Sequence, residues 1–209
     1  MDALLVVDVQ NDFVPGGSLA VRDGDAVVAV ANRLAAVAQV VIASQDWHPA
    51  DHASFASNHP GRLVGEVIEF DGRPQVLWPD HCVQGTQGAE FHPDLAIATF
   101  DLVVRKGTDP RIDSYSAFYD NGHLKDTGLA AALRERGLSR LWVLGLATDY
   151  CVQFTVLDAI AEGFSVMLVV DGVRAVDLEP GDGERAIERM GAAGAVLVTS
   201  EEAAELLER

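Results

Sequence analysis

Cysteine is nearly absent from this chain: Cys82 and Cys151 are the only two in 209 residues. Two thiols cannot build the disulfide framework of a small secreted protein, so the fold must rest on a hydrophobic core. Basic residues are scarce too, with 15 Lys and Arg against 32 Asp and Glu and a net charge of −17. That balance argues against nucleic acid and anionic membrane as partners, because both need clustered cations. No apolar run approaches the roughly 18 residues of a membrane span. Met1–Asp2 leads straight into a strand-like run without the basic region of a secretion signal. A reducing, cytoplasmic setting is therefore expected. A glycine-rich dinucleotide fingerprint is also missing, since Gly16-Gly17, Gly181/Gly183 and Gly191/Gly194 all have the wrong spacing. A Rossmann-type oxidoreductase has no support.

What is present suits one globular α/β domain. Hydrophobic residues make up 49% and charged residues 22%, and the length allows a full core without a second domain. Short aliphatic runs at Leu4–Val9, Val40–Ala43, Leu102–Arg105, Leu141–Leu146, Val166–Val170 and Ala195–Val198 read as six buried strands. Helical spacing falls between or after them at Ala26–Val40, Gly128–Arg136, Asp149–Glu162, Asp182–Met190 and Glu201–Leu207. The alternation predicts a three-layer α/β fold of Rossmann-like topology, with a mostly parallel six-stranded sheet covered by helices on both faces. The expected organisation is a single domain over residues 1–209, with a loop insertion at about 46–100 that carries metal- and substrate-site residues. Working residues of such sheets lie just beyond the carboxyl ends of the strands.

Leu144–Thr155, LGLATDYCVQFT, reads as a strand end, a turn and a helix start holding Cys151. With Thr148 as N-cap, Cys151 falls in the first turn, where unpaired N–H groups and the helix dipole favour thiolate. Asp8 and Lys106 close two other strands and would supply a proton acceptor and a cation to that thiol. A loop-capping aspartate, a surface lysine and an inert core cysteine are the alternatives. Asp46 and His48, two apart in an extended segment, point to one side and could grip one ion. His81 in WPDHC is a third ligand by type, and His52 a fourth. Two imidazoles and a carboxylate suit a divalent transition metal, Zn, Fe or Mn, better than Mg or Ca. A solvated aspartate and surface histidines would give the same letters.

The blocks VVDVQNDF (6–13), SQDWHPADHASF (44–55), WPDHCVQGTQGAEFHP (78–93), KGTDPRIDSYSAFYDNG (106–122) and GLATDYCVQFT (145–155) closely resemble the nicotinamidase branch of the isochorismatase-like cysteine hydrolases. They span most of the chain in family order. The resemblance implies an amidohydrolase of the nicotinamidase (pyrazinamidase) type in NAD salvage. Nicotinamide would pass through a cysteine thioester to nicotinate and ammonia, with one divalent metal ion in the site. It makes Cys151 the nucleophile, Asp8 the general base and Lys106 the third triad member. Asp46, His48 and His81 match the metal ligands. His52 matches a position that binds the metal in some members and lies beside it in others. Phe13, Trp78 and Tyr115 match residues lining an aromatic pocket. Leu146–Ala147 matches a cis peptide that turns backbone N–H groups, those of Ala147 and Cys151, toward the substrate oxygen. Cys82 reads as structural, and Asp149 as a helix-start charge that complements the dipole. The expected partner is the small-molecule substrate, with a homo-oligomer left open. A related amidase or carbamoyl hydrolase would keep the triad and change the pocket. A catalytically idle metal- or ligand-binding module would have lost a triad residue, and none is missing.

Overall fold

The computed structural model describes residues 1–208. Its frame is a six-stranded parallel sheet in the order β5-β2-β1-β6-β7-β8. The strands are β1 Asp2–Val7, β2 Val41–Asp46, β5 Leu102–Lys106, β6 Arg140–Leu146, β7 Ser165–Arg174 and β8 Val196–Val198. β1 is central because its Ala-Leu-Leu-Val-Val run is apolar toward both faces. Alternate residues enter two cores. Leu5, Val7, Leu141 and Val143 pack with α2 (Leu129–Glu135), α3 (Gln153–Ala161) and α4 (Asp182–Ala193). Leu4, Val6, Trp142 and Leu144 pack with α1 (Ala26–Ala35) and α5 (Ser200–Leu207) on the opposite face. No described helix is long and apolar enough to cross a membrane.

Most element bounds shift by a few residues from the sequence reading, and three differences are informative. β7 runs to Arg174 rather than stopping at Val170. Asp171-Gly172 does not turn the chain, because the Asp171 carboxylate accepts the Ser200 N–H at 2.7 Å and ties the strand to α5. A hairpin, β3 Val67–Phe70 with β4 Arg73–Val76, occupies the middle of the 46–100 segment. Its tip, Asp71-Gly72, has φ of 49° and 75°, the two positive values that a tight hairpin turn requires. Thirdly, Thr148 does not cap the helix after β6. Ala147 takes that place, and Thr148–Val152 form a π turn before α3, with the Val152 N–H donating to the Ala147 carbonyl at 3.0 Å.

The sheet order reverses beside β1: the chain goes from β1 outward to β2 and β5, then returns to β6 on the other side. The carboxyl ends of β5, β2, β1 and β6 therefore lie side by side at the switch point. Gly145 makes that edge possible. Its φ is 126°, and any Cβ there would collide with the Val7 backbone of β1.

Candidate active site

Each of the four adjacent strands delivers one group. Lys106 is the last residue of β5, Asp46 the last of β2, Asp8 follows β1, and Cys151 sits in the π turn after β6. Lys106 and Asp8 are 2% and 0% exposed, so neither is a surface side chain. The Lys106 ammonium lies 2.9 Å from Asp8 Oδ2 and 3.0 Å from Asp46 Oδ1. It also donates to the Ser114 carbonyl at 2.9 Å and to Cys151 Sγ at 3.4 Å. Burial alone would drive a lysine toward its neutral form, but Asp46 and Asp8 outweigh it and hold the Lys106 pKa well above the usual value.

The two oxygens of Asp8 differ. Oδ1 accepts the Ser44 hydroxyl at 2.7 Å, whereas Oδ2 is fully buried and faces the Lys106 ammonium at 2.9 Å. Burial raises the Asp8 pKa against the pull of Lys106. Burial likewise pushes the Cys151 thiol well up, with Lys106 opposing and Asp8 and Asp46 adding to the rise. Burial thus outweighs the favour that the helix start lends to thiolate. Cys151 rests as a thiol among carboxylates, and its proton needs an acceptor.

Asp46 and His48 do point to one side, with Asp46 Oδ2 lying 2.9 Å from His48 Nε2 and 3.4 Å from His81 Nε2. His48 Nδ1 lies 2.9 Å from the Gly107 carbonyl and His81 Nδ1 2.8 Å from the Pro79 carbonyl. Carbonyls only accept, so each Nδ1 carries a hydrogen and each Nε2 is left facing the Asp46 carboxylate, which raises the His48 pKa against the effect of burial. A shared cation makes that arrangement favourable, and the donor set fits a divalent transition ion. Gly107, with φ of 64°, leaves the room that the His48 ring fills. Gln10 fixes the ligand backbone from both sides: Nε2 donates to the Asp46 carbonyl and Oε1 accepts the Asp46 N–H, both at 2.8 Å.

His52 lies behind His48, their ring centroids 4.2 Å apart, and does not line the pocket. Burial, and then His48, hold its pKa down to about 4, so the ring is neutral and its Nε2 has no protein partner. His48, His52 and Asp113 form a second set whose ligand atoms lie within 4.8 Å of one another.

Phe13, Trp78 and Tyr115 share one cavity with Asp46, His81, Ala147 and Cys151, with about 350 Å³ of space outside atoms. The Trp78 indole N–H donates to the Tyr115 hydroxyl at 3.2 Å. Leu19, Asp113, Tyr150 and Val176 line it too, and none was singled out for the pocket from sequence. Tyr150 carried a signal, as the residue before Cys151; it stands edge-on to Trp78 with ring centroids 4.9 Å apart. The Leu146–Ala147 peptide is cis. Cys82 is a buried thiol whose N–H donates to Asp12 at 2.7 Å, and burial pushes its pKa well up. Asp149 is not merely a dipole partner, because its carboxylate accepts the N–H groups of Val176 at 2.9 Å and Asp177 at 2.8 Å.

The sequence profile of the isochorismatase domain matches residues 2–202. A curated nicotinamidase of Escherichia coli strain K12 is 52% identical over 207 residues, covering 94% of each chain. Among solved structures, an Acinetobacter baumanii nicotinamidase and pyrazinamidase superposes with a TM-score of 0.93 at 49% identity, covering 96% of this chain and 97% of that one. An L. infantum protein in complex with nicotinate gives 0.84 at 37% identity, with 96% and 93% covered. The pyrazinamidase of Pyrococcus horikoshii in complex with zinc gives 0.78 at 37% identity, with 95% and 98% covered.

Proposed function

This chain belongs to the family of isochorismatase-domain proteins, and from that premise we infer that it hydrolyses nicotinamide to nicotinate and ammonia. The observation that carries the reading is the buried row Asp8–Lys106–Cys151 opening into an aromatic pocket. Phe13 and Trp78 hold a flat pyridine ring between them, and Tyr115 closes the wall. Asp46, His48 and His81 would hold one divalent transition metal, Zn, Fe or Mn. When bound, that ion would supply a Lewis acid for the ring nitrogen and for water. His52 would steady that ion through His48, since its ligand atoms group with those of His48 and Asp113 rather than with Asp46 and His81.

Asp8 Oδ2 takes the Cys151 proton as sulfur attacks the carboxamide carbon, forming the S–C bond and a tetrahedral oxyanion. The N–H groups of Ala147 and Cys151 stabilise that oxygen, a contribution of roughly 3–4 kcal/mol per donor in other hydrolases. Asp8 returns its proton to the nitrogen, the C–N bond breaks, and ammonia leaves a thioester. Water then attacks the thioester carbon with Asp8 again as base, the S–C bond breaks, and Cys151 recovers its proton from Asp8. Lys106 remains charged throughout and offsets the negative charge that passes among Asp8, Cys151 and the substrate. Nicotinate production suits NAD salvage, and two free thiols suit a reducing, cytoplasmic setting.

An ammonia-release assay on nicotinamide, with and without chelator, tests the reading. Turnover that the chelator suppresses and added Zn, Fe or Mn restores is expected. Absence of ammonia from the metal-loaded protein would overturn it, and chelator-insensitive turnover would remove the metal from it.

A further inference from the structure

A second cavity adjoins the pocket across Asp113, Tyr115 and Tyr150, whose side chains line both. It holds about 910 Å³ of space outside atoms, part of it open to solvent. The β3–β4 hairpin gives Phe70 and Arg73 to its walls, and Phe154 comes from α3. Arg111 lies there as well, but Asp71 holds its guanidinium, with Nη2 contacts of 2.6 and 2.8 Å. Arg73 is half-buried in the wall and makes no side-chain hydrogen bond or ion pair with any described residue. In a chain of net charge −17, an uncompensated guanidinium beside aromatic walls stands out. Its planar fork matches a carboxylate in two parallel hydrogen bonds, and Phe70 and Phe154 offer surface to a ring.

The reaction inferred above leaves the ring unchanged and turns a neutral carboxamide into a carboxylate. Charge therefore separates product from substrate, and Arg73 is placed to read it. We propose that this cavity is a second subsite, outside the catalytic pocket, that takes a planar aromatic carboxylate. Arg73 binds the carboxylate, and Phe70 and Phe154 pack against the ring. The identity of that acid as the enzyme's own product rests on the proposed reaction; the chemistry of the subsite does not.

Benzoate is the probe, because it keeps the ring and carboxylate and lacks the pyridine nitrogen. Both benzoate and nicotinate should inhibit the metal-loaded wild-type enzyme in a mixed pattern against nicotinamide, since the two sites fill together. Arg73→Gln should weaken both acids on the substrate-loaded enzyme about tenfold, the loss expected for a charge-assisted hydrogen bond. The KM for nicotinamide should stay unchanged in that variant, and Arg73→Lys should fall between the two. Purely competitive inhibition of the wild type, or equal inhibition of wild type and Arg73→Gln, would overturn the subsite. If the wild type releases no ammonia from nicotinamide, the reaction reading fails by itself. Calorimetric titration of benzoate into wild type and Arg73→Gln then still decides the subsite: tenfold weaker binding keeps it, and equal affinities refute it.

Discussion

Replacing Lys106 by Met keeps most of the side-chain length and deletes one charge from a fully enclosed place. The ammonium stands 2.9 Å from Asp8 Oδ2 and 3.0 Å from Asp46 Oδ1, so its loss leaves two buried carboxylates without their shared cation. Breaking a buried ion pair from one side costs about 3–5 kcal/mol, which for a chain of this size lowers Tm by about 10 °C. Protonating Asp8 relieves part of that cost, because burial already holds its pKa above the ordinary carboxylate value. Without Lys106 that folded-state pKa rises further above the unfolded one. The relief is complete in acid and is lost as pH rises through the folded pKa, so the variant's deficit should widen from mildly acid to neutral pH. Cys151 also loses the cation that opposes its raised pKa, so alkylation by iodoacetamide should need a higher pH than in wild type. Thermal unfolding at both ends of that range and the alkylation profile together test this. A Tm gap that does not grow with pH, joined to an unchanged alkylation profile, would refute the placement of Lys106 as the shared cation.

Cys151→Ala should abolish ammonia release and keep the wild-type Tm within a few degrees, whereas Cys82→Ala should retain most activity, as measured on matched preparations. His48→Ala should lose metal by elemental analysis while Cys151 still alkylates, because Asp8 and Lys106 are untouched; His52→Ala should keep the ion with weaker affinity. Full metal occupancy in His48→Ala would contradict the ligand assignment. Asp149→Ala removes the acceptor of the part-buried Val176 and Asp177 N–H groups and should cost about 1 kcal/mol. Since Val176 lines the pocket, KM for nicotinamide should rise more than kcat falls, and a fall in kcat alone would contradict that link.

Much of this architecture was legible because the sheet announces itself. Six aliphatic runs separated by helical spacing imply parallel strands, and Asp8, Asp46 and Lys106 stand out as polar residues at run ends. What stayed hidden depends on burial and on distant packing. Thr148 has the chemistry of a cap, but the backbone bond from Val152 to Ala147 opens a π turn instead. Cys151 at a helix start suggested thiolate, and only the enclosing structure shows burial pushing the thiol up. Asp113 looks like one more aspartate in an acidic chain until the fold buries it between the two cavities. The β3–β4 hairpin did carry a local sign, Asp71-Gly72, set within a segment whose other turn residues masked it.

The central claim is that Cys151 carries the acyl group of nicotinamide, and hydroxylamine reports on this most directly. Added to the turning-over enzyme, it competes with water for a thioester and converts it to nicotinohydroxamate. The account predicts hydroxamate that rises with hydroxylamine at the expense of nicotinate while ammonia release is preserved, and neither product from Cys151→Ala. Nicotinate and ammonia formed without any hydroxamate, together with turnover by Cys151→Ala, would contradict it.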